Sequence, residues 1–283
     1  VNSTCNEGFY LRGINQDGSL QCQQLPFGVS VTPDIANNST GGAYSNIVIR
    51  PSTNLPIISF FAPNDYFTYT LQNLAIFDCT DFNCTTGTLR VLDEVGSVGK
   101  YNSMAILPLT GLPVISYYDE TNGNLKLYFC NNINCSSGSI RVLDSTGDVG
   151  SHTSIMMNSS GYPMISYYDE TNSSLKVHTC FNSTCTTGNN FTLDNTADVG
   201  KYSSITTEST SDLPLISYYD ETNGSLKSYK CSNSFIRNGN TLESLIFIKG
   251  NIQRCISRTW RNDNIFNAFR STIFYKISNY WFI

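Results

Sequence analysis

The stretch "GLPVISYYDETNGNLKLYFCNNINC", Gly111 to Cys135, decides how this chain folds. Both of its halves mix Ile, Val, Leu and Tyr with polar residues in the alternation that half-buried strands show. Between the halves, Asn122-Gly123 is a dipeptide favoured in hairpin turns, because it tolerates positive φ. The stretch therefore predicts two antiparallel strands joined at "DETNG" and followed by a loop bounded by two cysteines.

The same pattern recurs along the chain. A Val-Gly or Gly-Gly step opens each copy, and a cysteine ends each hairpin. The Ile-Ser motif with two aromatic residues begins at Ile58, Ile115, Ile165 and Ile216. A repeat of about fifty residues indicates a stacked array or a propeller.

Each unit contains four strand-like segments, as the one between Gly99 and Asp144 shows. Its segments end near Leu107, Asp119, Cys130 and Asp144, and turn residues separate them. Four antiparallel strands per unit are typical of a propeller blade. The sequence therefore predicts an all-β, β-propeller-like array of about four blades, the last incomplete, in which the paired tyrosines pack between neighbouring sheets.

Three regions follow from this pattern: residues 1–26 form a cysteine-bounded hairpin and linker, 27–236 the repeat domain, and 237–283 a tail. "FGVSVTPD", Phe27 to Asp34, lies where later units place their fourth strand, so we expect it to close a ring of blades. Ile236 takes the place of a repeat cysteine, and the tail beyond it is basic. The tail is interpreted either as a truncated blade or separate element, or as a reading-frame artefact.

The units resemble a repeat of bacterial and microbial-eukaryote surface proteins, of the form "VGxYxSIA…GxPxISYYDxTNGxLKxxxCxNxxCxxGxxxxxD", over Gly42 to about Ser234. This resemblance implies a propeller and exposure at a cell surface, and it implies no activity. The segment Cys5 to Cys22 resembles cysteine-bounded hairpins found beside stalks and repeats in surface and tail-fibre proteins. Both Trp residues lie in the tail, so the Trp-based signatures of better-known propellers are missing from the repeats.

Composition excludes several classes of partner. The net charge is -5 and the pI about 5.0, and no basic stripe suggests nucleic acid or an anionic membrane. The last apolar run, "STIFYKISNYWFI", contains Lys276 and is too short to span a bilayer. We therefore expect partners to be an extracellular glycan or protein, with a homo-oligomer formed through incomplete blades as a further prediction.

Cysteine spacing predicts the compartment. Three pairs share Cys-x4-Cys spacing, and a fourth bounds the N-terminal hairpin: Cys79/Cys84, Cys130/Cys135, Cys180/Cys185 and Cys5/Cys22. Zinc is the rival interpretation, but tetrahedral sites need four ligands and pairs on different blades lie far apart. Disulfides are favoured, and they persist in oxidising surroundings, so the sequence predicts an extracellular or cell-surface protein.

Asn-x-Ser/Thr sequons are numerous. The candidates for glycosylation are Asn38, Asn83, Asn134, Asn158, Asn172, Asn182, Asn190 and Asn223. A chain rich in Asn, Ser and Thr also produces such sequons by chance, so glycosylation and coincidence stay equal alternatives.

Side chains with catalytic potential occupy repeat positions. His152 replaces a tyrosine and His178 an aromatic residue of the other units, which favours structural roles. The acid pairs after each second strand, such as Asp119-Glu120, are interpreted as turn formers rather than as a glycosidase pair. Asp144/Asp148 and Asp194/Asp198 offer oxygen ligands to Ca²⁺, but no calcium motif accompanies them, so we predict no metal and no cofactor, with calcium as the lesser alternative.

The insertion in the first unit is the one candidate for ligand binding. There "APNDYFTYTLQN" replaces the usual six-residue turn, and Tyr66, Phe67 and Tyr69 offer rings that stack on a sugar or anchor a protein. The alternative is a hairpin whose rings pack on their own blade. The sequence thus predicts a non-catalytic binding or adhesion module, with a structural subunit of a surface layer or filament as the alternative and a polysaccharide-acting enzyme as the third hypothesis.

Overall fold

A computed structural model describes residues 9–14, 20–24, 42–63, 72–208, 213–231 and 255–260. All regular elements in these ranges are strands, which confirms the predicted all-β fold. Two short strands precede the repeats, β1 (Phe9–Ile14) and β2 (Leu20–Gln24), and pair as an antiparallel hairpin. Phe27–Asp34, predicted to close the ring, lies outside the described residues.

Four antiparallel sheets of four strands follow, one for each repeat, and we call them blades 1 to 4. Blade 1 contains β3 (Ala43–Ile49), β4 (Pro56–Pro63), β5 (Gln72–Cys79) and β6 (Gly87–Asp93). Blade 2 contains β7 (Val98–Ile106), β8 (Pro113–Asp119), β9 (Asn124–Cys130) and β10 (Gly138–Asp144). Blade 3 contains β11 (Val149–Met157), β12 (Pro163–Asp169), β13 (Ser174–Cys180) and β14 (Gly188–Asp194).

Blade 4 takes its first three strands from the repeat and its last from the tail. The repeat supplies β15 (Val199–Thr207), β16 (Pro214–Asp220) and β17 (Ser225–Cys231). The tail supplies β18 (Cys255–Trp260), which pairs antiparallel with β17. Thus part of the region that the sequence separated from the repeat contributes a strand to the fourth sheet.

The blades pack face against face, and their hydrophobic core lies between neighbouring sheets. The core between blades 2 and 3, for example, joins Val114, Leu125 and Leu127 of one sheet to Ile165 and Tyr167 of the next. All five side chains are fully buried. At about 1.5–3 kcal/mol per fully buried large apolar side chain, these junctions are the main source of stability.

The Val-Gly steps allow the blades to approach closely. A Cβ atom added at Gly150 would lie 2.6 Å from the Cα of Leu125 in the preceding blade, and one added at Gly99 would lie 2.7 Å from the Cα of Leu74. Both glycines have positive φ, 107° and 103°. Glycine is therefore required here by both sterics and backbone conformation.

The three predicted disulfides of the repeats are present, and each closes the loop between the third and fourth strands of its blade. They link Cys79 to Cys84, Cys130 to Cys135 and Cys180 to Cys185. Three disulfides are consistent with an extracellular protein. Within the described ranges no helix is long and apolar enough to cross a membrane. Cys5, the predicted partner of Cys22, lies outside these ranges.

Candidate functional site

A row of aromatic side chains runs along the first strands of the four blades, and we call it the aromatic row: Tyr44, Tyr101, His152 and Tyr202. Each member comes two residues after the glycine of the Gly-Gly or Val-Gly step. Each has a left-handed backbone, with φ between 52° and 54°. For a bulky residue this conformation costs about 1–3 kcal/mol and tends to mark functional positions.

Irregularities in strand pairing accompany this backbone, two in each of blades 2 to 4 and one, between Ala43 and Asn46, in blade 1. In β7, the register with β8 shifts between Val98 and Lys100 and again between Lys100 and Ser103. The equivalent shifts occur in β11 and β15. Such bulges redirect side chains, and here they bring one ring from each blade into line.

Hydrogen bonds across the junctions hold the row in place. The carbonyl oxygen of Tyr44 accepts a hydrogen bond from Asn102 Nδ2 at 2.7 Å, and that of Tyr101 accepts one from Thr153 Oγ1 at 2.9 Å. In the same way, Ser203 Oγ donates to the His152 carbonyl at 2.9 Å. The strained backbones of Tyr44, Tyr101 and His152 are therefore each fixed by the next blade.

The rings of the row are in contact. Centroid distances are 4.6 Å for Tyr44–Tyr101, 4.2 Å for Tyr101–His152 and 4.4 Å for His152–Tyr202. The end members are open to solvent, since Tyr44 is 41% and Tyr202 70% exposed, whereas His152 is buried. A second line of rings from the second strands, Phe61, Tyr118, Tyr168 and Tyr219, lies 6.0 to 6.3 Å away.

His152 is neutral near pH 7. Burial, followed by the positive charge of Lys201, lowers the pKa of its imidazole to about 4. It therefore contributes an uncharged ring to the row at physiological pH.

Charged residues border the row. Lys100 Nζ lies 2.6 Å from Glu120 Oε1 and 5.6 Å from the centroid of the Phe61 ring. The hydrogen bonds from Lys100 and Ser97 hold the pKa of Glu120 below its ordinary value, although burial opposes them. Glu120 is therefore an anion and a hydrogen-bond acceptor over most of the pH range.

The junction of blades 3 and 4 has a similar arrangement. Lys201 Nζ lies 3.3 Å from Glu221 Oε2, 3.4 Å from Asp198 Oδ2 and 5.4 Å from the centroid of the Tyr168 ring. Tyr168 in turn donates its hydroxyl hydrogen to Asp198 Oδ1 at 2.5 Å. Rings, carboxylates and ammonium groups thus lie together along one face of the array.

The ligand-binding residues predicted in the insertion, Tyr66, Phe67 and Tyr69, lie outside the described residues. The aromatic row was not predicted as a site, although the sequence placed His152 at the position of Tyr44, Tyr101 and Tyr202 in other units. That shared position after each glycine step was the available signal.

The first member of each acid pair is a turn former. Asp119 Oδ1 accepts a hydrogen bond from the backbone N–H of Asn122 at 3.0 Å, and Asp169 and Asp220 do the same in blades 3 and 4. The second members, Glu120, Glu170 and Glu221, accept hydrogen bonds from residues of the first strands instead. The two acids of a pair thus have different roles.

The two acids of each candidate calcium pair, Asp144/Asp148 and Asp194/Asp198, have different hydrogen-bond partners within the protein. Asp144 Oδ2 accepts hydrogen bonds from Lys176 Nζ and the Tyr167 hydroxyl, whereas Asp148 Oδ1 accepts one from the Tyr118 hydroxyl. Asp194 and Asp198 repeat this division with partners in blades 3 and 4. Each pair is therefore engaged in packing the junctions.

The donor atoms of His178, Cys180 and Cys185 lie within 4.8 Å of one another, a spacing suited to a metal. Cys180 and Cys185 are joined in a disulfide, however, so neither offers a thiolate. His178 Nδ1 lies 2.6 Å from Asn190 Oδ1 and its Nε2 3.6 Å from Cys185 Sγ. His178 and the Cys180–Cys185 disulfide therefore pack together at the disulfide loop of blade 3.

The sequons differ in their surroundings. Asn158 is buried, and its side-chain oxygen accepts hydrogen bonds from the backbone of Ser160 and Tyr162. In four other sequons the asparagine side-chain amide donates a hydrogen bond to another group of the protein: Asn172, Asn182, Asn190 and Asn223. Asn83 is exposed and Asn134 half-buried, both on Cys-x4-Cys loops, and Asn38 lies outside the described residues.

Comparisons with known proteins give structural neighbours alone: no family model matches, and no curated protein matches. Two solved structures of an exo-β-1,3-galactanase from Phanerochaete chrysosporium, each with β-1,3-galactotriose, are similar in structure to this chain. One has 7% identity and a TM-score of 0.46 over 70% of this chain, and the other 11% and 0.48 over 74%. The matched part spans about half of each galactanase chain, 47% and 51%.

This comparison corrects the function predicted from the sequence. The prediction of a non-catalytic binding or adhesion module, with a structural subunit as its alternative, is contradicted: the two structural neighbours named above are structures of a galactanase. At such low identity the likeness concerns the fold and assigns no activity. Function therefore has to be argued from the aromatic row itself.

Proposed function

We propose that the protein acts on a polysaccharide in an extracellular setting and holds the sugar chain along the aromatic row. The observation that carries this proposal is the line of contacting rings with exposed ends, held in strained backbone conformations and bordered by carboxylates. Strain of this kind is retained where the surrounding structure fixes it for a purpose.

The row suits a sugar chain for two reasons. The C–H faces of a pyranose ring pack against aromatic faces, which provide a large apolar area on a rigid side chain. The sugar hydroxyls need acceptors at the rim, and ionised carboxylates such as Glu120 are strong ones. Successive rings on successive blades match a ligand that is itself a repeating chain.

Secretion belongs to the same proposal. The three disulfides support an oxidising compartment, where polysaccharides of walls and capsules are exposed. Glycosylation at Asn83 and Asn134 would be compatible with their position on the disulfide loops.

The test combines binding with product analysis. The purified protein is titrated calorimetrically with a panel of neutral, amino and acidic oligosaccharides, and the products after incubation are measured by mass spectrometry. We expect binding of at least one member and release of shorter fragments, and about a tenfold or greater loss of both in Tyr101→Ala and Tyr202→Ala.

Leu109→Ala is the matched control, since Leu109 is 80% exposed and lies in the loop between β7 and β8. It should bind and act as the unaltered protein does. The proposal would be overturned if no oligosaccharide bound, or if the row variants bound as well as the control.

A further inference from the structure

The junctions of blades 1/2 and 3/4 each place a lysine ammonium between an aromatic ring and a glutamate. Lys100 lies over Phe61 and pairs with Glu120, and Lys201 lies over Tyr168 and pairs with Glu221. In both cases the lysine is the residue just before the member of the aromatic row. These two junctions define where an ammonium group sits on this face.

The middle junction, between blades 2 and 3, retains the surroundings but has a different residue at this position. Ser151 pairs with Tyr168 as Lys201 pairs with Tyr219, so the two positions are equivalent. The surroundings are equivalent as well. Tyr118 takes the place of Tyr168, Asp148 that of Asp198, and Glu170 that of Glu221.

These two carboxylates have neutral hydrogen-bond donors. Glu170 Oε1 accepts a hydrogen bond from Ser151 Oγ at 2.9 Å, and Asp148 Oδ1 accepts one from the Tyr118 hydroxyl at 2.6 Å. Within the described ranges neither acid forms an ion pair, whereas Glu120 and Glu221 both do. Glu170 is exposed, so a ligand can reach it.

The negative charges of Asp148 and Glu170 affect the hydroxyl groups of two neighbouring tyrosines, Tyr118 and Tyr101. Burial, the hydrogen bond to Asp148 and the charges of Asp148 and Glu170 raise the pKa of the Tyr118 hydroxyl. Burial, Tyr44 and the charge of Glu170 raise the pKa of Tyr101 in the aromatic row to about 12. The unneutralised acids therefore lie beside the surface proposed to hold the sugar chain.

We propose that the middle junction binds the protonated amine of an amino-sugar residue, paired with the exposed carboxylates of Glu170 and Asp148 beside the largely buried Tyr118 ring. This inference rests on the proposed function and names the class of sugar that the aromatic row takes. A cation near a ring face and two carboxylates is favoured by both the ring quadrupole and Coulomb attraction. Lys201 of blade 4 shows within the same protein how an ammonium group lies beside a tyrosine ring and a glutamate.

A pyranose ring is the favoured carrier of the amine because the Tyr101 ring of the row lies only 6.3 Å from the Tyr118 ring of the junction, centroid to centroid. A sugar ring packed on the row would thus place its amino substituent at the junction. A lysine side chain of a protein carries the same ammonium but has no ring to pack on the row.

The experiment compares glucosamine oligosaccharides with N-acetylglucosamine oligosaccharides of equal length by calorimetry at pH 6, where the free amine is protonated. We expect the amine form to bind about tenfold more tightly and to lose this advantage in high salt. Ser151→Lys, which gives blade 3 the residue of blades 2 and 4, should remove the preference by supplying its own ammonium. Glu170→Gln should also remove it.

Both variants should still bind the N-acetylated oligosaccharide, with a smaller loss than for the amine form, which shows that they fold and keep the row. Persistence of the preference in both variants would overturn the inference. Equal binding of the two sugars by the unaltered protein would overturn it as well, while the proposed function would stand. Absence of binding to every oligosaccharide would instead overturn the proposed function, and tighter binding of a lysine oligopeptide at the same residues would overturn the assignment to a sugar.

Discussion

The Nζ atom of Lys126 lies 2.6 Å from Asp119 Oδ2 in its own blade and 3.3 Å from Asp93 Oδ2 in the preceding blade. The Tyr117 hydroxyl donates to the same Asp93 oxygen at 2.7 Å. Lys176 and Lys227 repeat this arrangement at the next two junctions. Each of these blades is therefore joined to its predecessor by a buried cation between two carboxylates.

Lys126→Met should lower the free energy of unfolding by about 3–5 kcal/mol, because it leaves two buried carboxylates without their cation. Urea denaturation monitored by far-UV circular dichroism measures the change in the free energy of unfolding. Lys100→Met, which removes a more exposed lysine from the rim, should cost no more than about 1 kcal/mol. Equal losses in the two variants would show that the buried lysine does not join the blades.

The blades could be predicted because burial repeats in the sequence. Tyr117 and Tyr118 pack on opposite faces of one strand, so each "ISYY" motif marks a strand enclosed between two sheets. The Val-Gly steps mark the places where a Cβ would meet the backbone of the preceding blade. These requirements act on single residues, and they therefore leave a clear signal in each unit.

The aromatic row could not be predicted because its geometry depends on two bulges and on hydrogen bonds from the next blade. Regular alternation would not bring Tyr101 and His152 to a centroid distance of 4.2 Å. Likewise, Asp93 belongs to blade 1 but pairs with Lys126 of blade 2, a contact set by how the sheets stack. The sequence therefore indicated His152 as a replacement for tyrosine without showing what it contacts.

Gly150→Ala should destabilise the protein by several kcal/mol, about 3 or more, since the added Cβ would meet the Leu125 backbone and φ is 107°. Gly111→Ala is the matched control. Gly111 also has positive φ, 70°, but a Cβ there would have no heavy atom within 4 Å. Its cost should be about 1 kcal/mol, and thermal unfolding of both variants would separate the steric effect from the backbone effect.

Replacing Cys130 and Cys135 together with serine should reduce stability by about 2 kcal/mol, because the disulfide closes a short loop. The pairing itself is measured by alkylation of the untreated protein followed by mass spectrometry. We expect no alkylation at the six cysteines of the three repeat disulfides and full alkylation after reduction. Free thiols at these positions in the untreated protein would contradict both the pairing and the proposed oxidising compartment.

His152 should make stability depend on pH. Its folded pKa of about 4 lies below the value of about 6.5 in the unfolded chain, so the unfolded state binds more protons between these values. Stability should therefore fall as the pH drops from about 6.5 to 4, by at most about 3 kcal/mol.

His152→Tyr, which introduces the residue of the other units, should remove this part of the pH dependence. Buried carboxylates such as Asp144 are unchanged in the variant, so the difference between the two proteins isolates the imidazole. Urea unfolding at pH 7, 6, 5 and 4.5 measures it. Parallel curves for the two proteins would show that His152 is not held neutral by the fold.

Tyr202→Asn should be more stable than Tyr202→Ala by about 1 kcal/mol, because asparagine tolerates the left-handed backbone that alanine resists. Both variants remove the exposed ring, which makes an edge contact with His152 and a tilted contact with Tyr219. If the ring serves the ligand rather than the fold, the free energy of unfolding of Tyr202→Asn should lie within about 1 kcal/mol of that of the unaltered protein. The variant should nevertheless lose oligosaccharide binding. A large loss of stability in the asparagine variant, measured by thermal unfolding, would assign the ring to packing and remove the argument that strain at this position is kept for function.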